Sequence, residues 1–450
     1  MNKMASMTAF NVIPKVSKQP YHNAILSRLP TEWSPWPDDA TSVNHDEALS
    51  TFVKRSRKKG FAWPKKPVAF ISDPHADAEA FEASLIAAGV IEREGSHLCE
   101  YSLTKFGKKA EIVVGGDCLD KGPSNLMMLR SLAHLYRLKA DITLLAGNHD
   151  LRLLMGLLSL ERDTDAGSQH LFVRMGKKVI PLFKEVFDQY LADTQWDKGL
   201  PSEQACRQAL FPGNDWFENF PFYAAGFLTP EGIEREISKM TTKAQSFEAH
   251  CAKNGLSLTQ VYAAAMKCRS LFLNKSGEFS WFFRRMQLVK KRGSFLFLHA
   301  GLDDHMAELL AKYGVKHVNR AFKKNLMHQN LFSFYYGSLA NTFRTKYRKA
   351  DLPLTPRGAY IARRAGIQVL VHGHINQHFG QRVTLKNGLI HIEADITLDA
   401  HSRKNEGLDG YGVGVTLIDK NRGVIGLSCD YPQAKVFKPG RKGKLVEPAK

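Results

Sequence analysis

Carboxylates, an amide and imidazoles recur along this chain in short clusters that would form one chemical unit if the fold brought them together. They are Asp73 and His75; Asp117 and Asp120; Asn148, His149 and Asp150; His299; and His372 with His374. Two divalent ions held about 3.5–4 Å apart need a bridging carboxylate, neutral imidazoles and oxygen donors that leave positions open for water. Asp117 is the natural bridge. One ion would take Asp73, His75 and Asp117, and the other Asp117, Asn148, His299 and His374. The amide oxygen of Asn148 adds no charge, so the centre stays cationic enough to hold hydroxide near neutrality and to attract a phosphate. His372 is an alternative to His374, which the pairing with Gly373 favours.

The elements that must position these groups are legible as apolar runs that stop abruptly at polar residues. PVAFISD begins at Pro67; EIVVGGD spans 111–117, DITLLAGNHD 141–150, SFLFLHAGL 294–302 and IQVLVHGHI 367–375. Each reads as a buried strand whose carboxyl end opens into a site. A single Asp or His after a strand is commonly a helix cap or a surface residue; a succession of such strand ends points instead to a shared site. SNLMMLRSLAHLYRLK at 124–139 places Leu126, Leu129, Leu132 and Leu135 on one helical face. Strand, loop, helix and strand in alternation predict a layered α/β sheet with its ligands outside the strands' carboxyl ends.

Residues 1–64 read as an N-terminal extension with disorder near its beginning, 65–435 as the main domain, and 436–450 as a basic, flexible tail. The main domain is interrupted at 151–290 by a stretch of helix-spaced apolar residues that supplies no polar strand end, and a helical insertion is expected there. Whether it caps the site or lies on the far side, the pattern does not say. LIHIEADITLD and YGVGVTLIDK, beyond residue 375, read as strands closing the sheet.

Composition bounds the partners. The apolar fraction of 44% and charged fraction of 24% suit a globular protein. No apolar run approaches the roughly 18 residues of a membrane helix, so no membrane insertion is expected. The start carries no secretory pattern, which makes the cytoplasm the expected location. Six cysteines lie scattered without a C-x-x-C pair, as reduced, packed thiols do; Cys118 is read as packing. The net charge of +19 predicts anionic partners or substrates and leaves contact with nucleic acid open.

SDPHAD, GGDCLDKGPSN, AGNHD, LHAGL and VHGHI resemble the ordered motifs of the calcineurin-like metallophosphoesterases. Within that superfamily they are most similar to the phosphoprotein phosphatase branch, which includes symmetrical diadenosine-tetraphosphate hydrolases. The resemblance covers 67–155 and 294–376. It implies an α/β fold, a layered β-sandwich flanked by helices, and a cofactor of two divalent ions, manganese, iron or zinc. It implies hydrolysis of phosphate monoesters by in-line attack of a metal-bound hydroxide, with His149 as general acid and Asp120 holding its ring. Two departures stand out. Lys121 occupies the place of an arginine, and can attract phosphate but not clamp it in a fork; Asn376 stands where many relatives carry a further ligand. PRGAY at 356–360 resembles a phosphate-binding segment, making Arg357 the candidate, with Arg344 in reserve. The substrate expected is a phosphoprotein or small phosphorylated compound. A dinucleoside-polyphosphate hydrolase, a nuclease and an inactive scaffold or nucleic-acid-binding protein are the alternatives.

Overall fold

The computed structural model describes residues 31–32, 45–160, 167–327, 331–431 and 434–437. The strands, in chain order, are β1 (Thr31–Glu32), β2 (Val68–Ile71), β3 (Ile91–Arg93), β4 (Tyr101–Leu103), β5 (Glu111–Val114), β6 (Asp141–Leu144) and β7 (Lys290–Arg292). They continue with β8 (Phe295–Phe297), β9 (Val369–Asn376), β10 (Arg382–Lys386), β11 (Leu389–Asp395), β12 (Gly414–Asp419), β13 (Gly423–Ser428) and β14 (Ala434–Phe437). One sheet runs β1-β14-β13-β12-β2-β5-β6 and a second runs β10-β11-β9-β8-β7, with β3 and β4 as a separate hairpin.

The motif strands pair in parallel, β2 with β5, β5 with β6, and β9 with both β8 and β11. Within each sheet their polar ends therefore emerge at the same edge. Between the sheets Val68, Phe70, Val113, Phe295, Phe297, Val369, Val371, Ile390, Ile392 and Ile418 pack into one buried layer. A strand with both faces covered must be apolar throughout, which is why the runs ending at Asp73, Asp117 and His372 read so plainly.

Four helices matter to the site: α1 (His45–Ser56), α2 (Ala78–Ala87), α3 (Asn125–Arg137) and α4 (Asn148–Ser159). The leucines expected on one face of α3 are all fully buried, and the Ser124 side chain caps the helix by accepting from Met127 N. Residues 171–285 contribute only helices among the described residues, the longest being Pro230–Lys253 and Leu258–Leu273. The expected insertion boundary at 151 falls inside α4, whose first residue is Asn148.

The ends differ from the linear reading. Part of the N-terminal extension is integral to the core: Phe52 of α1 stacks edge-on with Phe61 and Trp63, which pack on Phe295. The disorder expected at its beginning lies outside the described residues. Val436 and Phe437, expected in a flexible tail, complete β14 against β13, because the Phe437 ring is buried in the layer between the sheets. The remainder of that tail lies outside the described residues. No helix among the described residues is long and apolar enough to cross a membrane.

Candidate active site

Tight backbone turns deliver the side chains. Asp73, His75, Asp117, Asp120, Lys121 and His374 all adopt positive φ, between 44° and 73°. Non-glycine residues in this region cost on the order of 1 kcal/mol or more each and cluster where function requires them. Two glycines allow the turns to meet. A Cβ at Gly147 would lie 1.9 Å from Asp117 N, and one at Gly373 would lie 2.0 Å from Asp73 Oδ1.

The carboxylate of Asp150, fully buried, ties the turns together by accepting from Cys118 N at 3.0 Å, Leu119 N at 3.3 Å and Gly147 N at 3.3 Å. Cys118 is buried beneath these turns, and burial pushes its thiol well above the usual range. It is a packing residue.

Two groups converge on Asp117. Asp73, His75 and Asp117 have ligand-type atoms within 4.8 Å of one another, and so do Asp117, His299 and His374. His75 Nε2 lies 3.9 Å from both Asp73 Oδ2 and Asp117 Oδ2, and His299 Nε2 lies 3.5 Å from Asp117 Oδ2. These gaps are too long for hydrogen bonds but suit atoms arranged around ions with bonds of about 2.1 Å. Asn148 Oδ1 joins the second group at 3.2 Å from His299 Nε2.

Each imidazole is oriented through its other nitrogen. His75 Nδ1 faces the Leu119 carbonyl at 3.2 Å, His299 Nδ1 the Gly115 carbonyl at 2.8 Å, and His374 Nε2 the Arg344 carbonyl at 3.1 Å. Backbone acceptors of this kind fix the tautomer and present the remaining nitrogen to the centre. His372 turns away, with Nε2 3.1 Å from His391 Nδ1; burial pushes it down to about 4. His374 is therefore the histidine brought into the cluster.

The electrostatics fit a cation. Burial alone would lower His299, yet Asp117 and Asp73 raise it to about 10. Burial pushes Asp73 up, whereas Asp117, despite burial, is held well below the usual carboxylate range by His299 and His149. A proton on His299 thus supplies positive charge that divalent ions would supply instead. His75, lowered well below its usual value by burial and then by Lys121, is neutral, as a ligand must be.

Beside the centre, His149 Nδ1 donates to Asp120 Oδ2 at 2.6 Å, and its backbone N donates to Asp117 Oδ1 at 2.8 Å. Asp120 N in turn donates to Asn125 Oδ1 at 2.9 Å. Lys121 Nζ reaches His75 Nε2 at 2.7 Å, which places it at the centre.

Arg357 is not brought to the cluster. Its side chain is 70% exposed and pairs with Glu308 at 2.7 Å. The physical reason is the anchoring of its helix: Thr355 N and Oγ1 both donate to Asp304, and Gly358 packs on the same carboxylate. Arg344, the reserve, adjoins the site through its carbonyl.

Two neighbours were absent from the linear reading. Asp395 ends β11 opposite Asn376, is 4% exposed, and has an Oδ2 without a hydrogen-bond partner. Burial and the nearby Asp73 push its carboxyl well up. Its one sequence signal is that an apolar strand stops at an aspartate. Glu406 bonds to Lys178 of the helical stretch at 2.5 Å and lies near Lys121 and His149. It carries no motif at all.

Against known proteins, the sequence matches the calcineurin-like phosphoesterase family over residues 66–378. A search of curated proteins finds no match. Among solved structures, a cold-active protein-tyrosine phosphatase of the psychrophile Shewanella sp. is 15% identical, with 85% of this chain and 83% of that chain covered, at a TM-score of 0.40. A protein serine/threonine phosphatase from Saccharomyces cerevisiae with similarity to human phosphatase PP5 is 10% identical, with 85% and 86% covered, at 0.36. Superpositions this loose carry no argument about activity. The family match spans most of the chain and every strand that bears an Asp or His of the cluster, so the chain belongs to the calcineurin-like phosphoesterases, metal-dependent hydrolases of phosphate esters.

Proposed function

We propose that this protein hydrolyses phosphate monoesters at a two-ion centre bridged by Asp117. The observation that carries the reading is the convergence of two ligand groups on that one carboxylate. Divalent ions held there would neutralise phosphoryl oxygens and acidify water for in-line attack. Asp73 and His75 would hold one, and Asn148, His299 and His374 the other. His149, fixed by Asp120, presents Nε2 as the proton donor to the departing alkoxide. Lys121, freed from His75 when that nitrogen takes an ion, becomes available to attract the phosphate. The filled ligand set argues against an inert scaffold.

Hydrolysis of 4-nitrophenyl phosphate by metal-stripped protein, with and without added manganese, tests the reading. Activity should be lost on stripping and return with the ion. Asp117→Asn should not recover it, and recovery in that variant would refute the bridging role.

A further inference from the structure

Basic side chains converge on one phenol just beyond the His374 side of the centre. Arg152 stands one turn after Asn148 on α4, so the two share a helix face. The Arg174 guanidinium lies 4.5 Å from the Tyr335 ring centroid and that of Arg344 5.0 Å; both also lie over Tyr336, at 5.5 and 5.4 Å. Lys243 Nζ donates to the Arg174 carbonyl at 2.7 Å. Because His374 Nε2 donates to the Arg344 carbonyl, this basic cluster adjoins the metal centre.

Among the described residues the charges do not balance. Among the described residues the carboxylate that meets these cations is Glu236, which bonds to Arg174 and is shared with Lys239 at 3.5 Å. Arg174 is only 8% exposed, and its Nε, the Nε of Arg152 and the Tyr336 hydroxyl are buried without hydrogen-bond partners. Burial, then Arg152 and Arg174, push the Lys243 ammonium down to about 7. Although burial opposes it, Arg174, Arg152 and Arg344 hold the Tyr335 phenol well below its usual range. A phenolate there would offset one cation and leave the others in excess. Donors buried without acceptors are costly unless a ligand completes them.

We propose that this basic cluster binds a second phosphate group of the substrate, one that is not cleaved while the scissile group occupies the metal centre. The site prefers substrates carrying two phosphoryl groups over simple monophosphates. The word substrate rests on the phosphoesterase reading above; binding of the anion does not. Calorimetric titration of metal-stripped protein with inorganic pyrophosphate separates the two. Binding is expected without metal, weakened at least ~10-fold in Arg152→Gln and in Arg344→Gln, the loss of one charge-assisted contact. Lys243→Gln, at a partly exposed lysine, replaces either variant that fails to melt cooperatively. No binding to the stripped wild type, or equal binding in the variants, would overturn the cluster as an anion site. With manganese restored, propane-1,3-diol bisphosphate should show a KM at least ~10-fold below that of the monophosphate, an advantage lost in Arg152→Gln. Equal KM values for bisphosphates and monophosphates from the propanediol to the hexanediol would overturn the assignment to substrate. Absence of all hydrolysis would sink the phosphoesterase reading and leave the calorimetry to decide the anion site.

Discussion

His149 is where the chemistry of a single side chain is most exposed to test. Its Nδ1 is committed to Asp120, so only Nε2 can deliver a proton. Replacing it by Asn should slow hydrolysis of an alkyl phosphate by roughly 10²- to 10⁴-fold, the usual contribution of a general acid. A 4-nitrophenyl ester, whose leaving group departs without protonation, should be slowed far less. Equal loss on both esters, measured as kcat, would show that the imidazole does something other than donate a proton. The positions of these residues were legible because the residue types are scarce and their spacing is local: Asn148 and His149 start one helix, and Asp117 and Asp120 share one turn. Arg357 misled because an arginine next to a glycine carries no such local constraint. Its helix is fixed by Asp304, which comes from 51 residues earlier in the chain.

At the scale of elements, the helical stretch between the motif strands contributes directly to the site's scaffold. Glu185, on the helix Ile180–Tyr190, accepts from Ser124 Oγ at 2.7 Å, Asn125 N and Nδ2 at 2.8 Å, and Leu126 N at 3.1 Å. A carboxylate at a helix N-terminus satisfies unpaired N–H groups and meets the positive end of the dipole. From there Asn125 holds Asp120, and Asp120 holds His149. Glu185→Ala should therefore destabilise the fold by about 1–3 kcal/mol in denaturant unfolding. It should also lower kcat more than it raises KM, since it loosens the proton donor and not the anion site. A variant as stable as the parent would show that the cap is dispensable. That α3 would form was readable from its leucines and Ser124; that a helix some sixty residues later would cap it was not.

For the whole molecule, the buried carboxyls set a pH dependence of stability. Glu82, fully buried between α2 and α3, is pushed up to about 7 by burial, despite accepting from Cys99 N and Ser131 Oγ. Its folded value lies above its unfolded one, so between about pH 4.5 and 7 the native state binds more protons than the unfolded state, and stability falls as pH rises. The full effect is on the order of 3 kcal/mol. Glu82→Gln should flatten this slope in urea unfolding measured from pH 5 to 8, and an unchanged slope would assign it to other groups. The sequence by itself determined the strands, the order of their polar ends and the chemistry those residues can perform. This is because doubly covered strands must be continuously apolar and metal ligands come from few residue types. Only the tertiary structure decided which histidine of the last motif faces the centre, that Asp395 and Glu406 stand beside it, and that cations from distant segments gather around Tyr335 and Tyr336. Those facts depend on contacts between residues far apart in the chain, and no local pattern encodes such contacts.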